Sequence, residues 1–582
     1  MTSTRRLRGP TWAAGLLVVL SMVASAAPQE APREEAPREE APRGYGDVRA
    51  YISRNWDVLT RSLEACEVLV DPKVPERSVL YLPKDFPEPA SVQRLRQKCP
   101  QVQIRRLPSV ITGPGQADVQ AIDPQGLLFL EHPYVVPGGM FNEMYGWDSY
   151  FIIRGLLRDG RRELAQGMVR NFFFELQHYG GVLNANRTYY LTRSQPPFLT
   201  SMVLAVHDSL GEAEKRAWLT EALPYLVRDY EMWVKGEHLA GDTGLSRYFD
   251  FGEGPVPELD THARYYRDVV GYFVSHPEAG QPYLREVDPD KREATGTSPV
   301  FTLQVCERNV GTTSCTAMKS FVLTEDYYKG DRSMRESGFD VSFHQGPFNA
   351  STHHYAPVDL NSLLYKTETD LERITTLLGR PAEAREWRER AARRRALVDR
   401  YLWDAQRGMY FDYDFVAGKR STYEYATTFY PLWAGLASPE QARAVAGKLS
   451  RFEQPGGVAM SRQETLTQWD HPYGWAPIQL LTIEGLRRYG QGPEADRLSR
   501  KFLDTVAENF RRDGTIREKY NMVTRSSEMK ISAGYVENVA GFGWTNGVFL
   551  ELQHGLPQQE PARRVGRKPP PPPREQRPSQ AP

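Results

Sequence analysis

The sequence predicts a mainly α fold in which paired helices close into a toroid, and three observations carry that expectation. Apolar residues recur at three- and four-residue spacing from Phe151 to His178. Val358 to Tyr401 reads as two helices broken near Gly379-Arg380-Pro381, and a further pair, Ala476 to Tyr489 and Ala495 to Phe510, brackets Gly492-Pro493. Helical hairpins repeated over several hundred residues, with glycine and proline in the connections, suggest concentric helices. Helix count alone does not separate a closed barrel from an open helical array.

In chain order, Arg5, Arg6 and Arg8 form a basic start, Ala13 to Val23 an apolar run and Ala24-Ser25-Ala26 a small-residue cleavage site. Residues 1–26 therefore read as a signal peptide cut after Ala26, and the expected protein is exported, periplasmic or secreted. The run is shorter than the roughly 20 residues a bilayer crossing needs, so no stable membrane insertion is expected after cleavage. Residues 27–44 repeat the pentad Ala31-Pro32-Arg33-Glu34-Glu35 and read as a disordered spacer, and residues 558–582, with five prolines after Lys568, as a disordered tail. The catalytic domain is expected over 45–557. Within it Ser78 to Leu82 and Gln101 to Leu107 look like strands added before the barrel, and Thr112-Gly113-Pro114-Gly115 reads as a turn. Four cysteines allow three pairings, of which sequence spacing favours Cys306 with Cys315 as a local loop closure, leaving Cys66 with Cys99.

Seventy-three basic and 73 acidic residues give no net charge, which argues against a surface built for nucleic acid or an anionic membrane and for a small, neutral partner. No metal or cofactor is expected. The adjacent pair His353-His354 is not expected to converge on one ion, and no H-E-x-x-H run occurs. Asn186-Arg187-Thr188 and Asn349-Ala350-Ser351 fit the glycosylation pattern and are assigned no role.

Two tryptophan-aspartate motifs carry the chemistry: Pro137-Gly138-Gly139-Met140-Phe141-Asn142-Glu143-Met144-Tyr145-Gly146-Trp147-Asp148-Ser149-Tyr150 and Gln468-Trp469-Asp470-His471-Pro472-Tyr473-Gly474-Trp475-Ala476-Pro477. Aromatic faces suit the apolar side of a sugar ring, and the acids suit its hydroxyls. Trp147 and Trp469 could equally wedge helices apart, and Asp148 or Asp470 cap a helix start. Hydrolysis of a bond between sugars usually needs one carboxyl to protonate the leaving oxygen and another to handle the nucleophile. Asp340, in Arg335-Glu336-Ser337-Gly338-Phe339-Asp340, sits beside an aromatic residue in a setting for a raised pKa. Glu518, in Ile516-Arg517-Glu518-Lys519-Tyr520, lies between two cations that favour its ionised form.

From about Leu130 to Leu550, these motifs, the segment Asn184 to Pro197 and the run Gly541-Phe542-Gly543-Trp544-Thr545-Asn546-Gly547-Val548 resemble the trehalases, glycoside hydrolase family 37. The resemblance implies an (α/α)6 toroid that inverts anomeric configuration, with Asp340 as general acid and Glu518 as general base. It also implies sugar-binding positions at Phe141, Tyr145, Trp147, Asp148, Asn184, Arg193, Gln195, Glu258, Gly338 and Trp469. Inversion sets the two carboxyls roughly 6.5–9.5 Å apart, with a water between. Some positions depart from the family pattern. Met140 and Val256 stand where arginines are usual, His344 where another arginine falls, Phe339 for tryptophan, Tyr473 for asparagine, and Tyr535 for a glutamate that Glu537 could supply after a small shift. The substrate implied is the small neutral disaccharide α,α-trehalose. A different α-glycoside, or sugar binding without turnover, are the alternatives.

Overall fold

A computed structural model of the chain describes residues 44–557 except 64, 70–77, 260–263, 289–297, 310–311, 466 and 532–536. The expected signal, spacer and tail lie outside the described residues, as does Tyr535.

Twelve helices build the ring. They are α1 (Gly46–Leu59), α2 (Asp148–Arg158), α3 (Arg162–His178), α4 (Leu199–Ser209), α5 (Glu212–Trp233) and α6 (Val358–Leu377), followed by α7 (Pro381–Tyr401), α8 (Tyr430–Ala434), α9 (Pro439–Ala446), α10 (Ala476–Arg488), α11 (Gly492–Asp513) and α12 (Gly543–Gly555). The even-numbered helices touch in sequence, α2 to α4, α4 to α6, α6 to α8, α8 to α10 and α10 to α12, and α12 returns to α2. This closed inner circle, backed by the odd-numbered helices, is an (α/α)6 toroid.

Burial separates the two circles. Inner helices are enclosed on all sides, so α12 buries every residue from Gly543 to Leu552. Outer helices bury one stripe: α7 covers Ala384, Trp387, Ala391, Arg394 and Val398, the three- and four-residue spacing of one helical face. The continuous pattern expected from Phe151 to His178 divides into α2 and α3 at Asp159–Arg161. Periodicity survives the break because both helices bury apolar faces in the same core.

The ring closes where the first and last inner helices meet without side chains between them. A Cβ on Gly155 would lie 2.4 Å from the Cα of Gly547, and one on Gly547 would lie 2.1 Å from the carbonyl oxygen of Phe151. Only glycine permits this approach of α2 to α12.

Two additions interrupt the hairpins. Between α1 and α2, strands Gln103–Arg106, Val79–Leu82 and Leu127–Leu128 form a parallel sheet in that order. A disulfide joins Cys66 to Cys99 beside it, the pairing expected from sequence. Between α5 and α6 a longer excursion holds helix Arg264–Ser275, an antiparallel sheet of Leu284–Val287, Thr312–Leu323 and Phe301–Asn309, and helix Glu325–Ser337. Cys306 and Cys315 are direct cross-strand partners in that sheet, and their side chains lie outside the described ones. Tyr266, Phe273, Phe321, Tyr327 and Phe348 form its apolar core, which fixes the helix leading to Asp340.

Among the described residues no helix is long and apolar enough to cross a membrane.

Candidate active site

The first tryptophan-aspartate motif runs into the start of α2, which leaves Asp148 in the first helical turn and in the lining of a pocket of about 500 Å³. Around that pocket the fold gathers Phe141, Tyr145, Trp147, Asp148, Asn184 and Arg193. Gln195, Glu258, Gly338, Asp340, Trp469 and Glu518 complete the set expected from sequence. The backbone explains the convergence. Gly146 N–H donates to the Asn184 carbonyl (3.1 Å) and Trp147 N–H to Gln195 Oε1 (2.9 Å), so the first motif and the 184–197 segment hold one another. The Asn184 amide in turn donates to the Arg335 carbonyl (3.3 Å), which ties both to the helix before Asp340.

Gly338 ends helix Glu325–Ser337 with φ of +77°, the left-handed cap that turns the chain toward Asp340. Its hydrogen-only face lies against the Trp147 indole, where a Cβ would come within 2.9 Å. The turn folds the Arg335 guanidinium back to 3.7 Å from Asp340 Oδ2. Burial lifts the Asp340 carboxyl to about 7, against the opposing pull of Arg335 and Arg193 and with a further push from Glu518. Its main chain is pinned from the other side, since the Gln468 amide donates to the Asp340 carbonyl and Trp469 N–H to the Val341 carbonyl (3.1 Å).

Glu518 is held differently. Strands Tyr473–Trp475 and Lys519–Asn521 pair antiparallel, with Trp475 opposite Lys519, and so bring the second motif beside the acid. The fully buried Lys519 ammonium donates to Glu518 Oε2 (3.0 Å), Gln468 Oε1 (2.9 Å) and the Glu537 carbonyl (3.1 Å), with the Trp475 ring 5.0 Å away. The Trp544 indole N–H donates to the Glu518 carbonyl (3.1 Å). Through Gln468, one ammonium thus connects the Glu518 carboxylate to the backbone of Asp340. Arg517, the other expected cation, turns away to the Asn538 carbonyl (3.0 Å) and Asp513 (3.8 Å).

Asp148 is the third carboxyl of the pocket. Burial raises its pKa well above the usual range, and Glu518 and Asp340 add to the rise. Opposite it, burial pushes the Glu258 carboxyl up, but the guanidiniums of Arg193 and Arg335 outweigh that and hold it below its ordinary value. Arg193 also lies 3.8 Å from Asp250 and stacks 4.8 Å over Tyr190. Arg193 Nε and Nη1 and Glu258 Oε2 are buried with no protein hydrogen-bond partner. Buried polar atoms without partners are costly, and these belong to two residues that line the pocket.

Several readings need correction. Asp470 does not line the pocket. It accepts Phe343 N–H (2.8 Å), the Tyr423 hydroxyl (2.7 Å) and the Thr467 hydroxyl (3.0 Å), and so anchors the loop after Asp340. His344, which falls at an arginine position, is buried away from the pocket between Ser342 (2.5 Å) and a stacked Tyr425 ring (4.0 Å). Burial depresses its pKa to about 3, so it carries no charge to replace a guanidinium. Val256 is buried outside the lining, Tyr473 directs its hydroxyl to the Lys530 carbonyl (2.8 Å), and Met140 does reach the pocket. The pocket's guanidiniums are Arg187, Arg193 and Arg335, of which sequence reasoning singled out Arg193 alone. Glu537, offered by sequence as a shifted equivalent of Tyr535, lines the pocket. Gln468, Trp475 and Trp544 also line the pocket and Lys519 contacts Glu518, although nothing in their local sequence marks them. Asn186 and Asn349 are fully buried, Asn186 bonded to Met144 N–H (2.8 Å) and the Leu128 carbonyl (2.9 Å), which removes both glycosylation patterns from the surface. His353 and His354, expected not to converge, both face Asp326.

The family model described as Trehalase matches residues 36–277 and 317–555. The chain belongs to the trehalase family of glycoside hydrolases. It is 35% identical over 559 residues to a cytosolic neutral trehalase of Emericella nidulans, an alignment covering 85% of this chain and 70% of that protein. It is 33% identical over 561 residues to a cytosolic neutral trehalase of Saccharomyces cerevisiae, covering 85% and 69%. Among solved structures, the neutral trehalase Nth1 from Saccharomyces cerevisiae superposes with a TM-score of 0.71 at 32% identity, over 87% of this chain and 93% of that one. The interval 278–316, which holds most of the antiparallel sheet of the excursion, falls between the two matched segments of the trehalase model.

These relatives overturn the expectation of a signal and of an exported, periplasmic or secreted protein, because they are named cytosolic enzymes. Three arginines before a short apolar run are a compositional pattern of low specificity.

Proposed function

We propose that this enzyme hydrolyses α,α-trehalose to two glucoses in the cytoplasm by an inverting mechanism, with Asp340 as general acid and Glu518 as general base. The observation that carries the roles is the contrast between the two carboxyls in one pocket: burial keeps a proton on Asp340 near neutrality, while a buried ammonium contacts Glu518. Asp340 gives its proton to the glycosidic oxygen as the bond to the anomeric carbon breaks. Glu518 takes a proton from a water that attacks the same carbon from the opposite face, so one product is β-glucose and the departing sugar is α-glucose. Arg193, Arg335 and Glu258 bind hydroxyls, and Phe141, Trp147 and Trp469 cover the apolar ring faces. The names of the relatives support the substrate and the compartment.

Early-time NMR of purified protein with α,α-trehalose tests the reading. Equal α- and β-glucose before mutarotation is the expected result. Two α-glucoses would exclude inversion, and intact trehalose in the presence of folded protein would exclude the substrate.

A further inference from the structure

The stretch of chain that presents Asp340 returns to its own starting point. It leaves from helix Glu325–Ser337, capped by the Thr324 hydroxyl, which accepts Tyr327 N–H (3.3 Å) and leaves Asp326 in the first turn. It comes back in the short turn Thr352–His354, four residues before α6. There two neighbouring imidazoles meet a single oxygen: His353 Nε2 lies 2.9 Å and His354 Nε2 3.4 Å from Asp326 Oδ1. The tight turn brings the two ring centroids to 4.0 Å with a 48° tilt, which lets adjacent side chains aim at one point.

We propose that Asp326, His353 and His354 bind one divalent transition-metal ion. Two imidazole nitrogens and one carboxylate oxygen suit Zn²⁺, Co²⁺, Ni²⁺ or Fe²⁺, whereas Mg²⁺ and Ca²⁺ take oxygen ligands. The three ligand atoms lie within 4.8 Å of one another. Bonds of about 2.0–2.2 Å in a tetrahedral arrangement place ligand atoms about 3.3 Å apart, so the observed spacings need little adjustment. His353 is buried, with 7% of its side chain exposed, while His354 at 26% and Asp326 at 41% leave an entry path and room for water ligands.

A neighbouring cation, Arg247, has partners of its own. The Arg247 guanidinium donates to the His353 carbonyl (2.8 Å), pairs with Glu237 (3.1 Å) and stacks 4.6 Å over Phe249. Its hydrogen bonds are therefore taken up by the His353 carbonyl and Glu237, not by the imidazole nitrogens. The exposed Glu325 stands next to Asp326 in the first helical turn and adds negative charge. None of the three ligands lines the sugar pocket. The ion would cross-link the start of helix Glu325–Ser337 to the lead into α6 and so brace the loop that carries Asp340, without taking part in hydrolysis. An ion bound to the folded chain and not to the unfolded one raises stability by mass action.

The test uses the full chain, free of any affinity tag, stripped with a chelator and titrated with Co²⁺ and then Zn²⁺. One equivalent of Co²⁺ is expected to bind with a visible absorption band that Zn²⁺ abolishes, and Zn²⁺ is expected to raise Tm. Asp326→Asn and His354→Gln change partly exposed side chains and should each weaken binding by at least the roughly tenfold to hundredfold typical of losing an outer-shell partner. His276→Gln, on an exposed histidine outside the cluster, should leave binding unchanged. Absence of saturable binding to the wild type overturns the site. So does undiminished binding to folded Asp326→Asn or His354→Gln, or loss of binding in His276→Gln.

Discussion

Asp340 and Glu518 line the same pocket and are prepared by opposite means. Asp340 hangs from a loop between a left-handed glycine and an apolar core, where desolvation outweighs two nearby guanidiniums and favours the neutral acid. Glu518 precedes a strand whose next residue buries its ammonium against the carboxylate. Charge near the Asp340 carboxyl therefore does not decide its state by itself. A guanidinium at 3.7 Å is too distant to overcome burial, whereas an ammonium at 3.0 Å forms a charge-assisted hydrogen bond. Sites that need an acid and a base at one pH depend on such unequal surroundings.

The strongest challenge to this contrast is to remove each carboxyl. Asp340→Asn and Glu518→Gln are each expected to lower kcat by roughly 10²–10⁴-fold with the fold intact, read from initial rates on trehalose. Activity near wild type in either variant would take that residue out of the chemistry. Lys519→Met should lower kcat by roughly 10- to 100-fold, the loss of one charge-assisted hydrogen bond to Glu518. An unchanged kcat would mean that the ammonium only fills space.

The pH profile sharpens the Asp340 side. The acid must be protonated to act, so kcat/KM should fall as pH rises through about 7. In Arg335→Gln the alkaline limb should move to higher pH, because the guanidinium is the largest of the influences holding the value down. A limb that stays in place would assign it to another group. Stability follows the same sign. With its folded pKa raised above the ordinary 3.8, ionised Asp340 opposes folding, an effect absent below that pH and fully present above about 7. Asp340→Asn should accordingly melt above wild type at pH 8 and alongside it at pH 3.5, by calorimetry. Outside the pocket, Gly155→Ala should cost about 1–3 kcal/mol of stability through overpacking at the ring seam while kcat per folded molecule is kept.

The helical hairpins and the motif residues were legible because both are local: helical spacing shows in a short window, and each tryptophan-aspartate motif is contiguous. What stayed hidden depends on how distant segments face one another. Arg335 is five residues from Asp340 in sequence, and only the Gly338 turn that ends its helix brings the guanidinium to the carboxyl. Lys519 reads as one of two cations flanking Glu518, and only the pairing of Tyr473–Trp475 with Lys519–Asn521 decides that it turns inward while Arg517 turns out. The same blindness made His344 look like a substituted pocket cation and Asp470 a sugar ligand, when both serve the loop behind the pocket. The facing of both adjacent histidines on Asp326 was hidden for a related reason, since it depends on the tight turn at Thr352–His354.

The glycine seam has a consequence for biosynthesis. The inner circle joins α2 to α12, so the ribosome must supply residues 159–542 before the partner of Gly155 is made. At about 5–20 residues per second that interval is roughly 20–80 s. Throughout it the growing chain holds an apolar flank of α2 with no mate, and no stretch of helices already released can substitute for α12, because a side chain at either glycine would keep the backbones apart. Completion of the barrel therefore waits until α12 has been made, and a chain cut short before Gly543 is expected to leave that flank open to other nascent chains or chaperones.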